Sequence, residues 1–309
     1  MFISDTHSDP LWKMWKTKDR NFSKSPALSV SAERLVQGGV NAQVFALFVP
    51  VAPAEHSRFS ILLAQMDLFY EEVITHPCII WEPGQPLHER KGKTQVILAL
   101  EGAGYIGEDP VLWRLLKRWG VEMASLTWNE ANELGDGVLE ERGAGLSSKG
   151  KQVVTLHKEL GIVTDISHLN EHGFWDVVEH GGTLIASHSN SSFVCAHKRN
   201  LTDQQIRALI QKNSFIGLTF YPPFITEKKI ALVDDLASHI DHIGSLGGIE
   251  RVGFGSDFDG IDQTIQGLSS PADYDALINW LLKRYDENIV RGIAGENFAR
   301  FWRDTRRFF

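Results

Sequence analysis

Phe2-Ile-Ser-Asp-Thr-His-Ser-Asp9 opens apolar and turns polar, and Pro10 follows it. In an open doubly wound sheet the turn after the first strand is usually rich in glycine, because the backbone there wraps a phosphate. Here the turn reads His7-Ser-Asp-Pro10 and offers an imidazole and a carboxylate instead. Residues two apart in a strand share a face, so His7 and Asp9 point together into whatever lies beyond the strand end. A neutral imidazole beside a carboxylate suits a borderline divalent cation such as zinc. The alternative is a local turn in which Asp9 caps the chain and His7 is an ordinary exposed side chain. So short a motif does not decide between them.

Further along, the same passage from apolar strand to polar end recurs. Strands are predicted over 2–5, 40–49, 95–100, 122–127, 162–167, 183–187, 215–220 and 252–256. Most are nearly continuous apolar runs, as in a parallel sheet covered on both faces. Helical spacing and end signals predict helices over 58–74, 110–119, 147–160, 171–179, 202–211, 230–246, 273–284 and 287–302. Asp109 before Pro110 and Gly161 after Leu160 are typical start and stop residues. Eight alternating strand and helix units imply closure into a (β/α)8 TIM barrel, one domain over residues 1–309, with the open doubly wound sheet as runner-up. Long loops are expected over 7–31, which carries Trp12, Trp15 and Phe22, and over 50–58. In a barrel, loops after strands build the pocket.

Bulk properties narrow the partners. The chain has 309 residues, 43% hydrophobic and 23% charged, the composition of a soluble globular protein. A net charge of −8 argues against nucleic acid or anionic membranes as the main partner. No run reaches the ~18 apolar residues that span a bilayer, and no basic leader precedes an apolar core. Cys78 and Cys195 are the only cysteines. A disulfide framework is not expected, and a cytoplasmic setting is.

Polar residues collect at the strand ends. After His7 and Asp9 come Glu101, His168, His188 and then Asp257 with Asp259, each closing an apolar run. Barrel strands end around one cup, so these side chains converge although they are far apart in sequence. Three imidazoles and at least three carboxylates need cations among them, and the count suits two metals sharing a carboxylate. Each has a structural reading as well: His168 as a helix-start residue, His188 and Glu101 as turn residues. Asp259 lies already in the loop and is expected to be structural. The histidines at 56, 76, 88, 157, 172, 180, 239 and 242 are expected on the surface or in packing.

Read in order, Asp5-Thr-His-Ser-Asp9, Glu101-Gly102, Asp165-Ile-Ser-His168, Ser187-His-Ser189, Val194-Cys-Ala-His-Lys-Arg-Asn200, Gly253-Phe-Gly-Ser-Asp-Phe-Asp-Gly260 and Gly295-Glu-Asn-Phe298 run nearly end to end. In these motifs the chain resembles the membrane (renal-type) dipeptidases, a zinc peptidase branch of the amidohydrolase-like, metal-dependent hydrolase barrels. The resemblance implies two Zn2+ ions, with Mn2+ or Co2+ as substitutes that the ligands also accept. His7 and Asp9 would hold one ion, His168 and His188 the other, and Glu101 would bridge them. It implies attack by a metal-bridging hydroxide on a dipeptide with a free C-terminal carboxylate, with a D-residue accepted at that position. Arg199 would grip the carboxylate through its planar fork. Asp257 would take the water's proton and pass it to the leaving amine. A homodimer is also implied.

One position departs from the family. The animal enzymes carry a substrate-binding histidine in a Leu-Thr-His context where this chain has Leu126-Thr-Trp128-Asn129. Indole donates one hydrogen bond and is never cationic. Trp128 is therefore expected to wall the pocket, with Asn129 as a neighbouring donor to substrate. Two alternatives stay open: an amidohydrolase of another small amide or lactam, and a metal-binding barrel without useful catalysis.

Overall fold

The structure is a computed structural model that describes residues 1–51 and 55–306. Among these, nine strands form one parallel sheet. They are β1 (Ser4–Asp5), β2 (Ala42–Phe48), β3 (Ile79–Ile80), β4 (Thr94–Glu101), β5 (Val121–Ser125), β6 (Val163–Asp165), β7 (Leu184–Ala186), β8 (Phe215–Leu218) and β9 (Val252–Phe254). Eight of the nine follow one another in the order β2-β1-β9-β8-β7-β6-β5-β4, and a β2–β4 ladder from Ala42↔Gln95 to Phe48↔Glu101 closes the circle. The remaining strand, β3, is a spur on the start of β4. The result is the expected (β/α)8 TIM barrel.

Alternation divides the strand residues between two cores. Ala42 and Val44 of β2, Ile97 and Ala99 of β4, Met123, Val163, Ile185 and Phe215 pack together inside the barrel. Phe45, Leu47, Val96, Leu98 and Leu100 belong instead to the larger core under the helices. The period of two that turns Ile97 and Ala99 inward also turns Glu101 inward, one step above them. The lower mouth is closed by the C-terminal helix Asn297–Arg306, which inserts Phe298, Phe301 and Trp302 into the inner core. That helix is tied to the wall by Glu122, a buried carboxylate that meets Lys117 Nζ at 3.0 Å and Arg306 Nη2 at 2.6 Å.

Three sequence expectations change. The segment 7–31 is not all loop, because the helix Pro10–Thr17 starts right after Asp9 with proline in its first position. Most strands stop one or two residues short of their predicted ends, because the chain turns out of the ladder while its apolar content continues. The helix expected over 287–302 is broken: Glu287–Arg291 passes through a wide turn at Gly292–Glu296 before Asn297–Arg306 begins. Asn297 Nδ2 donates to the carbonyls of Ile249 and Val252 at 3.0 and 2.9 Å, which fixes the new direction. Of the expected loop 50–58, residues 52–54 lie outside the described residues, as do the side chain of His56 and residues 307–309. Among the described residues no helix is long and apolar enough to cross a membrane.

Candidate metal centre and active site

β1 ends at Asp5, whose carboxylate turns to the helix layer and accepts from Tyr274 Oη at 2.6 Å and Ser256 Oγ at 2.5 Å. The chain then leaves the ladder, and His7 and Asp9 face the cup with His7 Nε2 3.4 Å from Asp9 Oδ2. Asp9 does occupy the N-cap position of the helix Pro10–Thr17, yet its side chain makes no capping hydrogen bond. The carboxylate is spared for the cup.

Glu101, at the end of β4, faces two ways. Its Oε2 lies 3.7 Å from His7 Nε2, while its Oε1 lies 2.8 Å from His168 Nε2 and 3.9 Å from His188 Nε2. His168 and His188 bring their Nε2 atoms within 2.8 Å of each other. Asp257 Oδ1 stands 4.0 Å from His7 Nε2. All five metal-ligand candidates and Asp257 therefore meet at one point. His168, Asp257 and Asp259 adopt left-handed backbone with φ of 73°, 67° and 69°. Such conformations cost about 1–3 kcal/mol each in non-glycine residues and persist where surrounding structure enforces them. Asp259 faces away from this point, accepting from the backbone of Ser29 and Val30 at 2.7 and 2.8 Å.

The donor set fits divalent cations. His7, Glu101 and His188 offer ligand atoms within 4.8 Å of one another, and so do His7, Asp9 and Asp257. His7 Nε2 and Asp9 Oδ1 are buried without a hydrogen-bond partner. Polar atoms in that state are costly unless a cation satisfies them. At Gly260 a Cβ would overlap both Asp9 Oδ2 and Asp257 Oδ1, so a side chain there would push the two carboxylates from their present places. Imidazole nitrogens with carboxylate oxygens are the ligands that zinc and its first-row neighbours take.

Charge is distributed unevenly across the cup. Burial disfavours charge on His7, but Glu101 and Asp9 outweigh it and raise its pKa well above the ordinary value. Burial likewise opposes ionisation of Glu101, yet His7 and the hydrogen bond from His168 hold its carboxyl below the usual range. His168 is lowered to about 4 by burial and then by Arg199. His188 falls well below its usual value through burial, with His7 and Arg199 adding to the effect. Asp257 moves well upward, chiefly by burial, with Asp9 and Glu101 reinforcing it. His7 thus attracts a proton through its carboxylate neighbours, whereas His168 and His188 resist charging and keep lone pairs available.

A cavity of about 310 Å3 opens onto these groups. Arg199 lines it, only 6% exposed, with Nη2 donating to the His188 carbonyl at 3.3 Å and the guanidinium 5.6 Å from the Phe224 ring. Trp12, Phe48 and Trp128 form one aromatic wall, with successive ring centroids 5.3 Å apart. Tyr221 and Phe224 form another, 4.8 Å between rings. Trp128 thus walls the cavity as expected. Asn129 also lines it, but its Oδ1 lies 2.8 Å from His168 Nδ1 and so accepts from that ring. This supports the ligand candidate His168 through Oδ1, while the donor to substrate that the sequence suggested would be the amide Nδ2 of the same side chain. The sequence reading passed over Phe48, Tyr221, Phe224 and Gly260. Phe48 was within reach, since it pairs with Glu101 across the β2–β4 ladder and ends its strand at the same level. Tyr221 and Phe224 sit in a proline-rich turn with no polar signal.

A family model described as membrane dipeptidase, peptidase family M19, matches residues 1–308. A curated relative named dipeptidase aclJ, from Aspergillus oryzae, is 28% identical over 89% of this chain and 70% of its own length. Among solved structures, a metallopeptidase named dipeptidase AC is 25% identical with a TM-score of 0.89, covering 99% of this chain and 98% of that one. A metallopeptidase from Rhodobacter sphaeroides, liganded with a phosphinate mimic of L-Ala-D-Ala, has the same fold, with a TM-score of 0.90, 24% identity and 99% coverage of each chain.

Proposed function

Because the chain belongs to the membrane dipeptidase family, peptidase family M19, and is a metallo-dipeptidase, we propose that it is a binuclear zinc enzyme acting as one domain over residues 1–309 on dipeptides with a free C-terminal carboxylate. Glu101 carries the proposal, because its two oxygens face His7 on one side and His168 with His188 on the other. In this reading His7 and Asp9 would hold one ion and His168 and His188 the second, with Glu101 available as a ligand to each. Two such ions would polarise the scissile carbonyl and make a water acidic enough to act as nucleophile near neutral pH.

The remaining steps belong to the chain's own side chains. Asp257, whose carboxyl holds a proton more readily than a free one, takes a proton from the attacking water. It gives that proton to the amide nitrogen as the C–N bond breaks, and the water's second proton passes from the new carboxylic acid to the released amine, so the products leave as a carboxylate and an ammonium. Arg199 meets the substrate carboxylate with paired N–H donors in a buried setting, where charge-assisted hydrogen bonds are strongest. That contact makes a free C-terminus a binding requirement. The aromatic walls take the side chains and exclude water. A D-residue at the C-terminal position is accepted, and a reducing compartment such as the cytoplasm suits the two buried, unpaired thiols at Cys78 and Cys195.

Metal content and a substrate panel test the proposal together. Two Zn2+ per chain are expected, with cleavage of L,L and L,D dipeptides and little cleavage of their C-terminal amides. Equal rates on amidated dipeptides would remove the Arg199 contact from the scheme. Trp128, where the animal enzymes have histidine, favours a second reading in which the substrate is another small amide. Turnover of blocked amides or lactams, with dipeptides left intact, would establish it.

A further inference from the structure

We propose that Asp165 and Ser187 form a positioning pair that sets the orientation and tautomer of His7 and His188 at once, so that one buried hydroxyl links the histidine ligands of both ions. The proposal rests on the metal-centre assignment made under the function above. Neither residue lines the cavity, so both act through the histidines.

The hydrogen bonds run in one direction. Asp165 ends β6, and its Oδ1 accepts the backbone N–H groups of Ser167 and Ser187, each at 3.0 Å. Its Oδ2 accepts from Ser187 Oγ at 2.5 Å. A hydroxyl has one proton to give, and here it is committed to the carboxylate, so Ser187 Oγ can only accept elsewhere. Two ring nitrogens meet it: His188 Nδ1 at 2.7 Å and His7 Nδ1 at 3.3 Å. Each must supply its N–H to Oγ. In the neutral form of each ring, the form that can bind a cation, the lone pair is then on Nε2, the atom turned toward Glu101 at 3.9 and 3.7 Å. Ser167 Oγ also approaches Ser187 Oγ, at 3.5 Å, too long to compete.

His168 is held separately, by Asn129 Oδ1. Three imidazoles thus rest on two supports, and the shared one would serve a histidine ligand of each ion. Outer partners of this kind orient ligand histidines, and their loss weakens metal binding about 10–100-fold.

Asp165→Asn tests the pair with almost no change of shape. Its carbonyl can keep the two backbone bonds while its amide nitrogen donates to Ser187 Oγ. That turns the hydroxyl proton toward a ring nitrogen and disfavours the required tautomer. The probe is Co2+ titrated into metal-free protein, followed by visible absorption and by the shifted ring N–H proton resonances of the cobalt form. For Asp165→Asn, Co2+ affinity is expected to fall about 10–100-fold at both sites, with the His7 and His188 N–H lines moved or lost and the His168 line kept. Ser187→Ala removes only the acceptor and should change the same two lines. It also serves as the second variant if Asp165→Asn folds poorly. Asn129→Ala should affect the His168 line alone.

Unchanged affinity and unchanged ring N–H lines in both variants would overturn the proposal. A loss of thermal stability in the metal-free protein, with Co2+ affinity intact, would overturn it too by leaving the pair a purely structural role. If wild-type protein failed to bind two Co2+ ions, the metal-centre assignment itself would fall, and this proposal with it.

Discussion

Asp9 and Asp257 stand on either side of Gly260 and have different tasks. Asp9 sits against His7 with one oxygen unpartnered and is proposed as a ligand, whereas Asp257 is proposed to move a proton. Asp257→Asn keeps the shape and removes the titration. We expect kcat to fall about 10²–10⁴-fold, with metal content per chain unchanged. Loss of one ion in that variant, read by elemental analysis, would place Asp257 among the ligands instead. At this scale the sequence was informative wherever a polar residue closed an apolar strand, because alternation alone turns Glu101 into the barrel. Asp165 and Ser187 lay inside the recognised motifs without an assigned role. Their task depends on which atom donates to which, and only the three-dimensional arrangement settles that.

At the scale of elements, the helix Pro10–Thr17 and the end of β2 bring Trp12 and Phe48 to Trp128 at the end of β5. This wall of indole and phenyl rings suits apolar side chains on the substrate. Trp128→Ala is expected to lower kcat/KM about tenfold for dipeptides with bulky apolar residues, equivalent to losing ~1.4 kcal/mol of contact. Dipeptides of glycine should be much less affected, and a uniform loss across both classes would count against the wall as a specificity element. Helix ends were legible where a side chain caps, as at Ser147, Asn170 and Thr202, each of which accepts from the backbone N–H three residues on. The helix Pro10–Thr17 was missed because its cap residue gives its carboxylate to the cup, and because eight residues are too few for Leu11, Met14 and Trp15 at helical spacing to stand out. Strand lengths were overestimated for a related reason. Apolar content continues past the ladder into residues whose backbone has already turned.

Across the whole molecule, acid should destabilise the fold through histidines outside the active site. His157 packs its ring 4.4 Å from Trp113, and His239 bridges the Ser191 N–H and the Ile225 carbonyl. Burial lowers their pKa values to about 3 and about 4. An unfolded chain protonates both near 6.5, so between those values it binds more protons than the folded one. The stability from keeping them neutral is complete above about pH 6.5 and is lost as the pH falls toward 4. Each histidine contributes a slope of about 1.4 kcal/mol per pH unit in that window. Denaturant unfolding at several pH values should show it, and His157→Leu should make the dependence shallower by about that amount. Equal slopes for variant and wild type would mean that His157 is charged in the folded protein.

The C-terminal helix has one more consequence, which concerns traffic. Phe298, Phe301 and Trp302 stopper the barrel axis beneath the cup, so nothing passes through the barrel from below. In the proposed reaction the dipeptide enters and both of its halves depart on the loop side of the barrel, past Arg199. The half that keeps the C-terminal carboxylate still carries the handle by which the whole substrate was held. It should be the slower to leave and should compete with the next dipeptide, giving the enzyme a built-in sensitivity to the amino acid it releases.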